Sequence, residues 1–261
     1  MKSKHISTLT ESLNFNDFNK MKITFINMPL RESARPNTPP EGPAILAAIA
    51  RKYGAEPYII DLNGYRIKDE LSIKKGLTSG RHMSYQEAEK MIYTHLNKVG
   101  DQDIIAFSGK ITTLRWQEEV AKIVRKYQPN TFLVSGNGLA TEIKQGLFNW
   151  IPELDAIGRS EGDDVILLML KDAKLIKEKG IEQCIKRNIL SPYYVGEING
   201  KHRFVYQGDR PKNLNKIPYG ALDLLESDPY GHNLLEDYIK VPVWGIAANN
   251  SSATPFSMKR S

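Results

Sequence analysis

A single cysteine, Cys184, stands in a chain of 261 residues. That excludes an internal disulfide and any multi-cysteine metal site built from this chain alone. It fits a reducing cytoplasm, which is the expected compartment. Long apolar runs are missing as well. No stretch approaches the ~20 residues of a membrane-spanning helix, and the amino terminus lacks the apolar core of a signal peptide. No G-x-x-x-x-G-K-[ST] occurs, and no G-x-G-x-x-G follows the first expected strand, which argues against a P-loop and the usual dinucleotide fingerprint. The five histidines, His5, His82, His95, His202 and His232, show no metal-ligand spacing. Lys and Arg are not interleaved with aromatics, so nucleic acid is not an expected partner. The net charge of +6 admits an anionic partner, but lysines decorating exposed helix faces are the plainer account of it.

What is present is an alternation. Short apolar runs of strand length fall at Lys22–Met28, Pro57–Ile60, Asp103–Phe107, Thr131–Ser135 and Ala156–Gly158. Between them lie segments with apolar residues at helical spacing. One opens at Pro43 and buries Ile45, Leu46, Ile49 and Ala50. Others cover Tyr85–Lys98, Trp116–Tyr127 and Asp164–Lys179, with a shorter one over Ile181–Ile189. This pattern predicts an α/β fold, a Rossmann-like doubly wound parallel sheet with helices on both faces. Residues 1–20 read as a polar leader with one short helix near Leu13–Phe18, and residues 21–190 as the sheet domain. Leu30–Gly42 is a Pro-rich loop, and Lys74–Ser84 a second loop containing His82. From Ser191 the texture changes. Tyr193–Tyr206 reads as a β-hairpin turning at Asn199-Gly200, Leu214–Leu225 as a linker, and residues 228–261 show no sustained regularity. Residues 191–261 are thus expected to form a small hairpin and linker extension.

In such sheets ligands gather beyond the carboxyl ends of the strands. Three strand ends here carry small or polar residues: Ser108-Gly109-Lys110-Ile111-Thr112-Thr113, Gly136-Asn137-Gly138 and Ser160-Glu161-Gly162-Asp163. The G-x-G at residues 136–138 is equally a tight turn or a ligand loop. Thr112 or Thr113 caps the next helix, donates to a ligand, or does both. Glu161, Asp163 and Asp164 complement a helix dipole or form an acid site. Asp61 stands after the second strand, where such sheets often read a ribose. No nucleophile, base and orienter can be assembled from spacing.

The order of these loops resembles the N-terminal cobalamin-binding domain of cobalamin-dependent radical S-adenosylmethionine enzymes. Asn27-Met28-Pro29 with Pro39-Pro40-Glu41-Gly42-Pro43 and Leu46-Ala47-Ala48 is similar to the family's opening strand, loop and helix. Gly54 to Asp61 is similar to its second strand, and Phe107 to Thr113 to its "G-I-S-x-x-T" loop. Gly136 to Thr141 is similar to "G-G-P-H-A-T", Ser160 to Asp163 to "G-E-G-E", and Ile217 to Leu225 to the linker toward the radical domain. Asn137, Gly138 and Leu139 depart from the family's Gly, Pro and His, and Ser160 replaces a Gly. The D-x-H-x-x-G that supplies a histidine to cobalt is missing; Asp61-Leu62-Asn63-Gly64 stands near that level.

The resemblance implies a cobalamin-binding module of a methyltransferase-type enzyme, without a protein histidine under the cobalt. Its cofactor-binding residues would be Pro39, Glu41, Asp61, Ser108, Gly109, Lys110, Thr112, Gly136, Asn137, Gly138, Ser160 and Glu161. Of these, Ser108, Thr112, Gly136 and Gly138 suit the nucleotide tail and lower face, while Glu161 and the Leu30–Gly42 loop suit the corrin edge. The family's cluster motif C-x-x-x-C-x-x-C is expected after a segment like Ser257–Ser261. S-adenosylmethionine and an iron–sulfur cluster would therefore enter only with a separate or downstream radical domain, and this chain alone is not expected to catalyse. The alternatives are a cofactor-free interaction or regulatory partner that keeps the fold, and a nucleotide- or sugar-binding protein of the same sheet type.

Overall fold

The computed structural model describes residues 13–30, 36, 38–68, 83–191, 194–211, 213–227, 229 and 231–240. Seven strands form one sheet: β1 (Lys22–Asn27), β2 (Glu56–Asp61), β3 (Ile104–Ser108), β4 (Phe132–Gly136), β5 (Ala156–Arg159), β6 (Tyr194–Ile198) and β7 (Lys201–Gln207). Their order is β2-β1-β3-β4-β5-β7-β6. Every pairing is parallel except β6 with β7. The inner strands are short and almost wholly apolar because both of their faces are covered.

One face carries α1 (Glu41–Lys52) and α6 (Val165–Lys179), whose Ala47, Ala50, Leu167 and Leu170 join Ile23, Phe25 and Phe204 in one buried cluster. The other carries α2 (Tyr85–Val99), α3 (Leu114–Tyr127), α4 (Asn137–Ile143) and α5 (Leu147–Trp150), which bury Ile92, Val120, Val124 and Phe148 against Ile26, Ile105 and Leu133. Ser84 caps α2: its hydroxyl accepts from the Glu87 amide at 3.2 Å, and the Glu87 carboxylate accepts from the Ser84 amide at 2.6 Å. A short α7 (Ile181–Lys186) follows α6. The chain therefore winds as the alternation predicts, and the fold is Rossmann-like.

Several boundaries differ from the sequence reading. Pro43 is the third residue of its helix rather than the first, which is tolerated because the first four amides of a helix have no intrahelical acceptor. The leader's Phe15–Lys20 forms turns instead of a helix, with Phe18 buried against the core. The stretch from residue 228 contains a further helix, α8 (Leu234–Lys240). His5, His82 and residues 241–261 lie outside the described residues.

The hairpin turns at Asn199-Gly200, with φ of 55° and 73°, the left-handed geometry a two-residue turn needs. It does not stand apart from the sheet. Residues 156–159 of β5 pair with residues 204–207 of β7, so the hairpin continues the parallel core. Buried Arg203 holds it there, donating to the carbonyls of Leu154 and Pro152 and lying over the Phe148 ring at 5.3 Å. On the opposite face the Tyr206 hydroxyl donates to Asp172 of α6 at 2.8 Å. These are long-range contacts between polar groups that hydrophobic periodicity does not encode.

Candidate functional site

The carboxyl ends of the first four strands form one row. Asn27 pairs with Asp61 on one side and Ser108 on the other, and Ser108 pairs with Gly136. The loops that follow are stitched sideways. Asn137 Nδ2 donates to Ser108 Oγ at 3.2 Å, and the Leu139 amide donates to the Gly109 carbonyl at 3.3 Å. The Ser160 amide donates to Thr141 Oγ1 at 3.0 Å. Asn137 and Ser160 hold φ of 73° and 60°, a left-handed geometry uncommon for residues with side chains. The tips of β3, β4 and β5 are thus brought to one rim and fixed to one another.

The expected site residues separate into two kinds. Lys110, Thr112, Asn137, Gly138, Ser160 and Glu161 are exposed on this rim, with Ser108 and Gly136 half-buried beside them. Gly138 has no atom within 4 Å of where a Cβ would stand, so open space lies over it. Glu41 is exposed at the start of α1, Pro39 is half-buried just before it, and a Cβ on Gly162 would stand 3.0 Å from Leu46 of that helix. Gly109 and Asp61 face inward. A Cβ on Gly109 would stand 2.5 Å from Gln117 Cδ and 2.8 Å from Thr113 Oγ1. Gln117 is buried and accepts from Ser135 Oγ at 2.6 Å. The Thr113 hydroxyl closes the loop backward, accepting from the Lys110 amide and donating to the Lys110 carbonyl, so it does not cap α3 as the sequence suggested.

Asp61 is 2% exposed. Its Oδ1 accepts from Asn27 Nδ2 at 2.7 Å and from the Asn63 amide at 3.1 Å, and its Oδ2 accepts from the Tyr238 hydroxyl at 2.6 Å. Burial pushes its carboxyl above the usual range, against the pull of these donors. Asp163 and Asp164 are also pushed up, by burial first and then by neighbouring acids, Glu161 for one and Asp163 and Asp209 for the other. Tyr238 and its helix escaped the sequence reading, although Asn233-Leu234-Leu235-Glu236 carries a helix-start signature. Asn233 Oδ1 accepts from the Glu236 amide at 2.9 Å.

A cleft of about 610 Å³ lies at the opposite, amino-terminal rim, between Asp103, Phe132, Asp155, Ile176 and His202. Its charged groups are occupied internally. Arg125 donates to Asp155 and to the Glu153, Pro129 and Thr131 carbonyls, and Lys177 pairs with Asp103 at 2.5 Å. Among the described residues, no group of three or more His, Cys, Asp or Glu side chains could hold a metal ion, and no helix is long and apolar enough to cross a membrane.

Fold and rim together define an α/β protein with a Rossmann-like, mostly parallel sheet and a preorganised loop rim at its carboxyl edge. Over 217 residues the chain is 28% identical to a protein of Pyrococcus horikoshii described as an uncharacterized methyltransferase. The match covers 80% of this chain and 40% of that relative, so the chain corresponds to less than half of the relative's length. No protein-family model matches the chain.

Proposed function

We propose that this chain is a cobalamin-binding module of a methyltransferase-type enzyme, seating the cofactor on the carboxyl rim of β3, β4 and β5 without a protein histidine under the cobalt. The observation that carries this reading is the open, small-residue rim itself. Space over Gly138 adjoins exposed hydrogen-bonding groups on three adjacent loops, already tied together before any ligand arrives. A broad, amide-fringed corrin needs such close backbone approach together with scattered donors and acceptors. The residues present fit the group. Ser108, Thr112, Gly136 and Gly138 would meet the tail and lower face, and the exposed Lys110 ammonium suits the tail phosphate. Glu161, Ser160, Pro39 and Glu41 would edge the corrin. The turn after β2, Leu62-Asn63-Gly64, offers no histidine, and Asp61 contributes from behind the surface rather than by contact.

When bound, cobalamin supplies a cobalt centre able to carry a methyl group. The chain's own residues bind and orient it. S-adenosylmethionine and an iron–sulfur cluster belong to this reading only through a separate or downstream radical domain. The relative's description as a methyltransferase supports the reaction class. Incubation with hydroxocobalamin followed by gel filtration tests the reading. Corrin absorbance should travel with the protein peak at about one equivalent; a colourless protein peak sinks the reading. A second reading, a cofactor-free interaction partner, is favoured by Tyr219 and Leu214, which are 100% and 71% exposed on the segment after β7. A co-purifying protein with no corrin uptake would select it.

A further inference from the structure

The Asp61 carboxylate joins segments that are distant in sequence. It accepts a hydrogen bond from the tip of β1 through Asn27, from the turn after β2 through the Asn63 amide, and from α8 through Tyr238, 177 positions away. The Asn63 side chain in turn accepts from the Leu30 amide at 2.9 Å, just past the end of β1. Asn27, Tyr238 and the Asn63 and Gly64 amides are all neutral donors, so this buried carboxyl is held by hydrogen bonds rather than by an ion pair. Around it α8 packs on the 64–68 turn and on the 222–225 turn, and Ala221 donates to the Ala44 carbonyl of α1 at 2.9 Å.

We propose that Asp61 and Tyr238 form a latch that makes α8 part of the carboxyl rim and couples it to Leu30, just past the end of β1. One carboxylate serves both attachments, so freeing α8 leaves a buried acceptor short of a donor and loosens its hold on Asn27 and Asn63. Asn27 lies in register with Ser108, so the disturbance reaches the row of strand tips. Asp61 and Tyr238 are positioning residues in this scheme. The consequence for ligand affinity rests on the cobalamin reading; the coupling of α8 to Leu30 does not.

The test is Tyr238→Phe in the full chain, with Tyr206→Phe as a matched control that deletes a hydroxyl donating to another buried carboxylate, Asp172. Hydrogen exchange of the Leu30 and Asn63 amides should quicken about tenfold in Tyr238→Phe and hold its wild-type rate in Tyr206→Phe. Hydroxocobalamin affinity should fall several-fold in the first variant alone. Unchanged Leu30 and Asn63 exchange in Tyr238→Phe overturns the latch, as does an equal rise in both variants. A wild-type chain that takes up no hydroxocobalamin overturns the cofactor reading only, because the exchange comparison needs no ligand.

Discussion

Two glycines on the same rim should respond in opposite ways to one added methyl group. At Gly109 a Cβ would fall against the Gln117 amide and within 2.8 Å of Thr113 Oγ1. Gln117 has no room to retreat, because it is fully buried and receives the Ser135 hydroxyl. Gly109→Ala therefore overpacks the loop and disrupts at least one buried hydrogen bond. Overpacking of this kind costs about 1–3 kcal/mol and the bond about another 1 kcal/mol, roughly 2–4 kcal/mol together. For a chain of this size each kcal/mol lowers the melting temperature by about 2–4 °C, so the loss should be on the order of 10 °C. Gly138 is exposed in the first turn of α4 with open space around it. Gly138→Ala should leave the melting temperature unchanged or raise it slightly, since alanine is the better helix former. Thermal unfolding followed by circular dichroism reads both. Equal losses in the two variants, or no loss in Gly109→Ala, would refute the division of the rim into inward-packed and outward-open positions.

Other outcomes follow from the same geometry. His95 lies buried against Thr24 Oγ1 and the Tyr58 ring, and burial, with the Lys98 charge second, lowers its pKa from 6.5 to about 4. The fold favours the neutral ring while the unfolded chain protonates first. The His95 contribution is therefore intact above pH 6.5 and lost as pH falls toward 4, by about 1.4 kcal/mol per unit across that window. Denaturant titrations at neutral and acidic pH should show this slope in the wild type and a flatter one in His95→Gln. Arg203→Ala leaves the Leu154 and Pro152 carbonyls unpaired and a cavity beside Phe148. It should cost about 3 kcal/mol by chemical denaturation, and a change under 1 kcal/mol would show that the hairpin is held otherwise.

The sheet was legible because its strands are buried on both faces and so read as continuous apolar runs, bounded by glycine and small polar residues. Hairpin and turn were legible through Asn199-Gly200, whose backbone geometry few other pairs adopt. The position of β7 beside β5 was not, because the buried side chains that fix it, Arg203 and Tyr206, find their partners 49 and 34 positions away. At the rim, the small and polar residues from Ser108 to Lys110 and from Gly136 to Gly138 stood out by composition. What composition could not separate was Gly109 from Gly138, or a ligand-facing acid from Asp61. That distinction depends on which way a side chain turns, and on a tyrosine whose seven-residue helix is too short to announce itself by periodicity.

If cobalamin seats over Gly138, a bulky side chain there must exclude it, and a paired titration reads this. Hydroxocobalamin is added to the wild-type chain and to Gly138→Phe, a change that fills open space without touching the core, and bound corrin is read by its visible absorbance after separation. The account predicts about one corrin per wild-type chain and a large loss in the variant, with both proteins melting alike. Equal uptake by the two, or none by the wild type, would contradict it.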